Sequence, residues 1–162
     1  MATPEYVLRL REKIGHDLLL LPGVCAVIVR ENAGEREVLL VRRADNGQWT
    51  PVTGIADPGE DADTAAVRET LEETGVRIEV DRVTWIETLE PQTYANGDRC
   101  QFFDTCLLAH PVGGEARVGD EESTEVRWFP VSALPPMKAR FERKVAHALS
   151  GDPRVLIGAD GR

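Results

Sequence analysis

Residues 61–75, DADTAAVRETLEETG, leave the backbone little choice. Asp61 is suited to cap a helix, Asp63 adds negative charge to its first turn, strong helix formers follow to Thr74, and Gly75 ends it. At about 100° per residue, Glu69, Glu72 and Glu73 fall within one arc of about 100°, while Val67, Thr70, Leu71 and Thr74 project from another. This spacing predicts a carboxylate face that borders a cleft. Carboxylates this close repel one another, and hard divalent cations with all-oxygen ligands, Mg²⁺ or Mn²⁺, are their natural counter-charge. The helix taken alone also fits a plainer account, a solvated face with Arg68 and Glu72 paired one turn apart. The flanking residues therefore have to decide.

Around that helix the chain alternates between the two regular periods. Residues 1–21 are expected to carry an amphipathic helix over 4–20, with Tyr6, Leu10, Ile14 and Leu18 on one stripe and Pro22-Gly23 as its stop. Its stripe is expected to pack on its own domain, with a dimer contact as the alternative. Val24–Val29 and Val38–Val41 read as neighbouring strands joined by the turn-rich residues 31–35, and a short extended piece, Gln48–Val52, leads to Gly54. Val76–Glu87, Gln101–Ala109 and Glu125–Phe129 are further strands, with loops at Asn96-Gly97 and Gly113-Gly114. A last helix is expected over 137–149, with a loose tail after Asp152. Strands framed by helices predict an α/β protein, a mixed sheet in an α/β/α sandwich, and one domain over 1–162.

The charge balance narrows the partners. Nineteen Lys and Arg against 28 Asp and Glu give a formal net charge of -9, which disfavours nucleic acid. Three cysteines, Cys25, Cys100 and Cys106, show no zinc-ligand spacing, so they are expected to be buried apolar groups in a reducing cytoplasm. The charge-dense start and the broken apolar run Leu18–Val29 fit neither a secretory signal nor a membrane span, so no membrane partner is expected.

The flanking residues supply a register: Gly54, five residues to Glu60, seven to Arg68-Glu69, then Thr70, Glu72-Glu73, Gly75 and Val76. This resembles the Nudix box, and GIADPGEDADTAAVRETLEETGV departs from it only at Thr70, where an aliphatic residue is usual. Upstream, Pro51-Val52-Thr53-Gly54 stands where many relatives have Pro-Gly-Gly. The resemblance covers roughly residues 22–135 and implies the Nudix fold and metal-dependent cleavage of a diphosphate.

By that resemblance Glu72 and Glu73 are the main metal ligands, with Glu69 a further ligand or the base. The Gly54 carbonyl would complete the shell, and Glu60 and Arg68 would form an ion pair that aims the ligands. A later loop, Gly119–Glu122, stands where the family often places a glutamate base, and Glu122 is preferred over Glu121. Pro91, sixteen residues after Gly75, matches a proline common in relatives acting on ADP-ribose. That favours ADP-ribose over (deoxy)nucleoside triphosphates or dinucleoside polyphosphates as substrate. Non-catalytic nucleotide sensing is a further alternative, disfavoured by the intact Arg and Glu set. A prenyl diphosphate isomerase is disfavoured too, since no Cys and Glu pair is marked for acid-base work on carbon. Arg42, Arg43 and Arg99 are candidates for phosphate contact, and Trp49, Trp85, Tyr94, Phe102 and Phe103 for stacking a base, each against the plainer role of packing or surface pairing. A homodimer is the family expectation.

Overall fold

The computed structural model describes residues 3–161, so Met1, Ala2 and Arg162 of the expected domain lie outside the described residues. The elements run α1 (Glu5–Ile14), β1 (Leu19–Asn32), β2 (Glu35–Arg43), β3 (Trp49–Thr50), β4 (Val52–Ile55), α2 (Ala62–Thr74) and β5 (Val76–Thr88). Then follow β6 (Gln92–Thr93), β7 (Arg99–Gly114), β8 (Ser123–Pro130), a 3-10 turn at Val131–Ala133, α3 (Ala139–Leu149) and β9 (Leu156–Ile157).

β1 organises the sheet because it pairs with three partners along one length. Leu19–Ile28 run parallel to β7, Gly23–Ala26 also pair antiparallel with β4, and Val29–Asn32 turn to pair with β2. β5 lies antiparallel to β7 and carries β9 on its outer edge, while β8 and β3 complete the sheet around β2. A strand with parallel neighbours needs cover on both faces, which is why Val24–Ile28 read as one apolar run. Ala26 and Ile28 pack with Leu39, Leu107 and Ala66 of α2, whereas Cys25 and Val27 pack with Cys106, Trp85, and Phe141 and Val145 of α3. The expected α/β/α sandwich is the fold observed, and the three cysteines are buried and unbridged.

Both ends differ from expectation. Helix α1 stops at Ile14 because Gly15 takes a positive φ of 58° and returns its N–H to the Arg11 carbonyl. The stripe assigned to Tyr6, Leu10, Ile14 and Leu18 is not the buried one: Val7 is 3% exposed, against 38% for Leu10 and 42% for Leu18. Pro22-Gly23 does not end a helix but lies within β1, where the Pro22 carbonyl accepts the Ala56 N–H. The tail is ordered as well, since β9 pairs with Trp85 and Ile86, and the Trp85 indole N–H donates to the Gly158 carbonyl at 2.9 Å.

Candidate active site

Helix α2 meets the sheet through carboxylates as well as methyl groups. Its buried residues are Ala65, Ala66, Glu69, Thr70, Glu73 and Thr74, while Leu71 is 47% exposed. The face expected to be apolar is therefore split, and the three glutamates separate. Glu69 and Glu73, one turn apart, point inward, and Glu72 turns outward with its side chain 55% exposed, at 3.2 Å from Arg68. Burial rather than amphipathic period decides this, because small alanines let the helix lie close to β4.

Gly54 makes room for the inner pair. A Cβ there would fall 2.2 Å from the Glu69 Cγ, so only glycine allows Glu69 to lie across β4. The Glu69 carboxylate accepts the Ile55 N–H at 3.2 Å and lies 3.1 Å from Arg68. Arg68 in turn donates to both oxygens of Glu60 at 2.8 Å and to the Ile55 carbonyl at 3.1 Å. One guanidinium thus fixes the loop, β4 and the helix to one another.

Glu73 is the carboxylate that burial affects most. It is 5% exposed and forms no side-chain hydrogen bond among the described residues. Burial, then the Glu69 charge, pushes its carboxyl from 4.5 up to about 8, with Asp120 adding to the rise and Arg43 opposing it. Asp120 stands in the loop where the sequence points to Glu122 and Glu121 instead. The chain turns there because Gly119 lies against the end of α2, its N–H bonded to the Glu73 carbonyl and its Cα too near the Glu72 carbonyl for any side chain. Glu122 is half-buried, with its N–H on the Asp120 carboxylate and its carbonyl holding the Ala44 N–H.

These donors fit a divalent cation. An inward-facing carboxylate with no donor among the described residues, beside a second carboxylate and a third acid on the facing loop, is an all-oxygen set with surplus negative charge. Among the described residues no three acidic, His or Cys side chains are already gathered as a complete metal set. Glu69 and Glu73 would hold the ion, with Glu72 and Asp120 at the margin.

Next to β4, on the α3 side of the sheet, opens a cavity of about 490 Å³. Gly23, Gly54, Arg43, Tyr94, Phe102 and Lys144 are among its lining residues. Arg43 stands between the two regions: it lines the cavity, is held by Asp45 through two bonds of 2.9 Å, and its charge reaches Glu73. Of the other candidate contacts, Tyr94 and Phe102 face this cavity, whereas Arg42, Trp49 and Arg99 do not. Arg42 is paired with Glu125 at 2.6 Å, Trp49 packs edge-on against Phe129, and both border a separate open groove beside Pro135 and Pro136. Arg99 is exposed, and its backbone carbonyl accepts from Arg11. Trp85 is buried under α3 and Phe103 lies exposed outside the cavity. Pro91 sits between Leu89 and Gln92, both of which line it.

A buried ion cluster that sequence reading did not find completes the inner wall. Lys144 of α3, 2% exposed, lies 2.5 Å from Asp104 of β7 and 2.9 Å from Glu87 of β5. Burial would push the Lys144 ammonium down, but Cys25 and the carboxylates of Asp104 and Glu87 together outweigh that and hold it above its usual value. The available signal was a charge inside each apolar stripe: Asp104 within QFFDTCLLA, and Lys144 between Phe141 and Val145.

Comparison with known proteins agrees with the geometry. The NUDIX domain profile matches residues 19–149. A MutT-like protein of Streptomyces ambofaciens is 33% identical over 141 residues, 86% of this chain and 84% of that protein. The NAD-capped RNA hydrolase NudC of Pseudomonas fluorescens is 31% identical over 134 residues, and the match spans 79% of this chain but only 42% of that longer protein. In fold, an ADP-ribose pyrophosphatase from Streptococcus suis superposes with a TM-score of 0.63 at 22% identity, covering 86% of this chain and 96% of the other.

Proposed function

The chain belongs to the NUDIX family as a pyrophosphohydrolase, and we propose that it cleaves the diphosphate of a nucleoside diphosphate joined to another group, with ADP-ribose favoured. The observation that carries this reading is the inward pair Glu69 and Glu73, one of them with no hydrogen-bond donor among the described residues, beside Gly54 and Arg43, which line a cavity of nucleotide size. Arg43 supplies positive charge at the junction, where a diphosphate would lie between the cavity and the acidic helix. The relative named for NAD-capped RNA acts on a substrate of the same chemical class, a nucleoside diphosphate with a second substituent.

Members of this family generally use a divalent metal, and Mg²⁺ suits a few carboxylates completed by water and phosphate oxygens. When bound, such an ion neutralises charge building up on the diphosphate and acidifies the attacking water. The chain's own part is orientation and proton uptake. The Glu60–Arg68 clamp holds the loop and helix so that Glu69 cannot swing away from β4, and Ile55 N–H fixes one Glu69 oxygen. Glu69 is one candidate base for the attacking water, and Glu122 and Asp120 on the facing loop are the others, while Glu73, which burial keeps protonated near neutral pH in the metal-free protein, would ionise to hold the ion. Arg43 and Lys138 line the cavity and would supply positive charge to the phosphates.

The test is incubation with Mg²⁺ and a panel of ADP-ribose, nucleoside triphosphates and dinucleoside polyphosphates, with products separated by chromatography. Cleavage within the diphosphate is expected, fastest for ADP-ribose. Cleavage of none would overturn the reading. Glu73→Gln is expected to lose at least about 100-fold in turnover while keeping its circular dichroism spectrum, and wild-type turnover would remove Glu73 from the site.

A further inference from the structure

The inner wall of the cavity holds an acceptor with nothing to accept. Asp104 Oδ2 takes the Lys144 ammonium at 2.5 Å, and Lys144 also holds Glu87 at 2.9 Å, so one positive charge faces two formal negative charges. Oδ1 of Asp104 has no hydrogen-bond donor among the described residues, although the residue is only 6% exposed. The space beside it is kept open by Gly23, since a Cβ at that position would fall 2.9 Å from Oδ1. Asp104 lines the cavity, so a ligand N–H or O–H can reach this oxygen.

The surroundings choose between these donors. Phe102 borders the same opening, its Cβ and Cδ1 3.4 Å from where a Gly23 Cβ would stand, and Tyr94 and Phe141 also line the cavity, which gives a flat base rings to stack on within a lining that also carries polar groups such as Gln48, Thr53 and Asn96. A phosphate is excluded from the immediate neighbourhood by the carboxylate itself, and the cations Arg43, Lys138 and Arg140 line other parts of the wall. We propose that Asp104, set by Lys144 and Glu87, receives the exocyclic amino group of the substrate's nucleobase through Oδ1, with Gly23 giving it access. Asp104 is then a specificity residue for amino-bearing bases such as adenine. Lys144 and Glu87 are positioning residues behind it. The proposal rests on the nucleotide reading above for the class of ligand alone.

Calorimetric titration with adenosine and with purine riboside, identical except for the 6-amino group, tests this without any diphosphate or metal. Wild-type protein is expected to bind adenosine at least about tenfold more tightly, the ratio that a hydrogen bond to a charged acceptor gives. In Asp104→Asn the ratio is expected to fall to about threefold or less, and Gly23→Ala, which blocks Oδ1 without touching its charge, should do the same. Equal binding of both nucleosides, binding of neither, or a ratio unchanged in the folded variants overturns the proposal. Because no bond is broken, retained discrimination with no hydrolysis of the nucleotide panel would overturn the proposed reaction and leave this site standing.

Discussion

Glu73 shows how a single side chain can be costly to the fold and useful to the site. In the metal-free protein its carboxyl titrates at about 8, against an ordinary value of 4.5, chiefly because burial disfavours the charged form. A carboxyl raised on folding holds a proton in the folded state that the unfolded chain has already released. Its contribution is therefore fully present below pH 4.5 and is lost as pH rises through about 8. Unfolding in urea with chelator should show wild-type stability falling across that window by up to about 4 kcal/mol relative to Glu73→Gln, which cannot ionise. Parallel pH profiles for the two proteins would show that burial does not shift Glu73. The same logic explains which residues were readable: Gly54, Glu60, Arg68, Glu69 and Glu73 follow from chain register alone. Asp120 does not, because its approach to Glu73 depends on how a distant loop turns at Gly119.

At the scale of elements, the middle of the chain was legible and its ends were not. Helix α2 begins after Asp61 and stops at Gly75 as expected, although the Asp61 side chain makes no cap hydrogen bond and it is the αL glycine, with its N–H on the Leu71 carbonyl, that closes the end. Of the residues expected in the first helix, 15–18 form a turn and Leu19 and Leu20 pass to β1, because parallel pairing with β7 extends that strand back to Leu19 and no local signal reports a partner eighty residues away. The tail is a similar case. Leu156 and Ile157 are short of partners in sequence but pair with Trp85 and Ile86 in space. Truncation after Asp152 removes that pairing and the bond from the Trp85 indole to Gly158. It should lower stability by about 1–3 kcal/mol in thermal or urea unfolding, and an unchanged midpoint would mean that β9 contributes nothing.

Across the whole molecule, two helical layers on one sheet produce two different chemical faces. The α2 side gathers carboxylates beside β4, and the α3 side closes a cavity whose wall includes Lys144 and Asp104, with Glu87 paired to Lys144 behind them. That cluster joins α3 to β5 and β7, so its loss is felt by the assembly of layers and not by one element. Lys144→Met leaves two buried carboxylates facing each other and should cost about 3–5 kcal/mol of stability, read as a lower urea midpoint. Full retention of the midpoint would show that the ammonium is not what holds the layers there.

By itself the sequence determined the α/β class, the acidic helix and the register of Gly54, Glu60, Arg68 and the glutamates, because these depend on spacing along one short segment. It could not say that Glu69 and Glu73 turn inward while Glu72 faces water, since helical period gives angles and not the direction of the sheet. Nor could it join Gly23, Asp104 and Lys144, or separate Arg43 from Arg42, Trp49 and Arg99. Those relations are set by strand pairing and by the packing of α3 over residues more than a hundred positions earlier, and only tertiary structure brings such residues together.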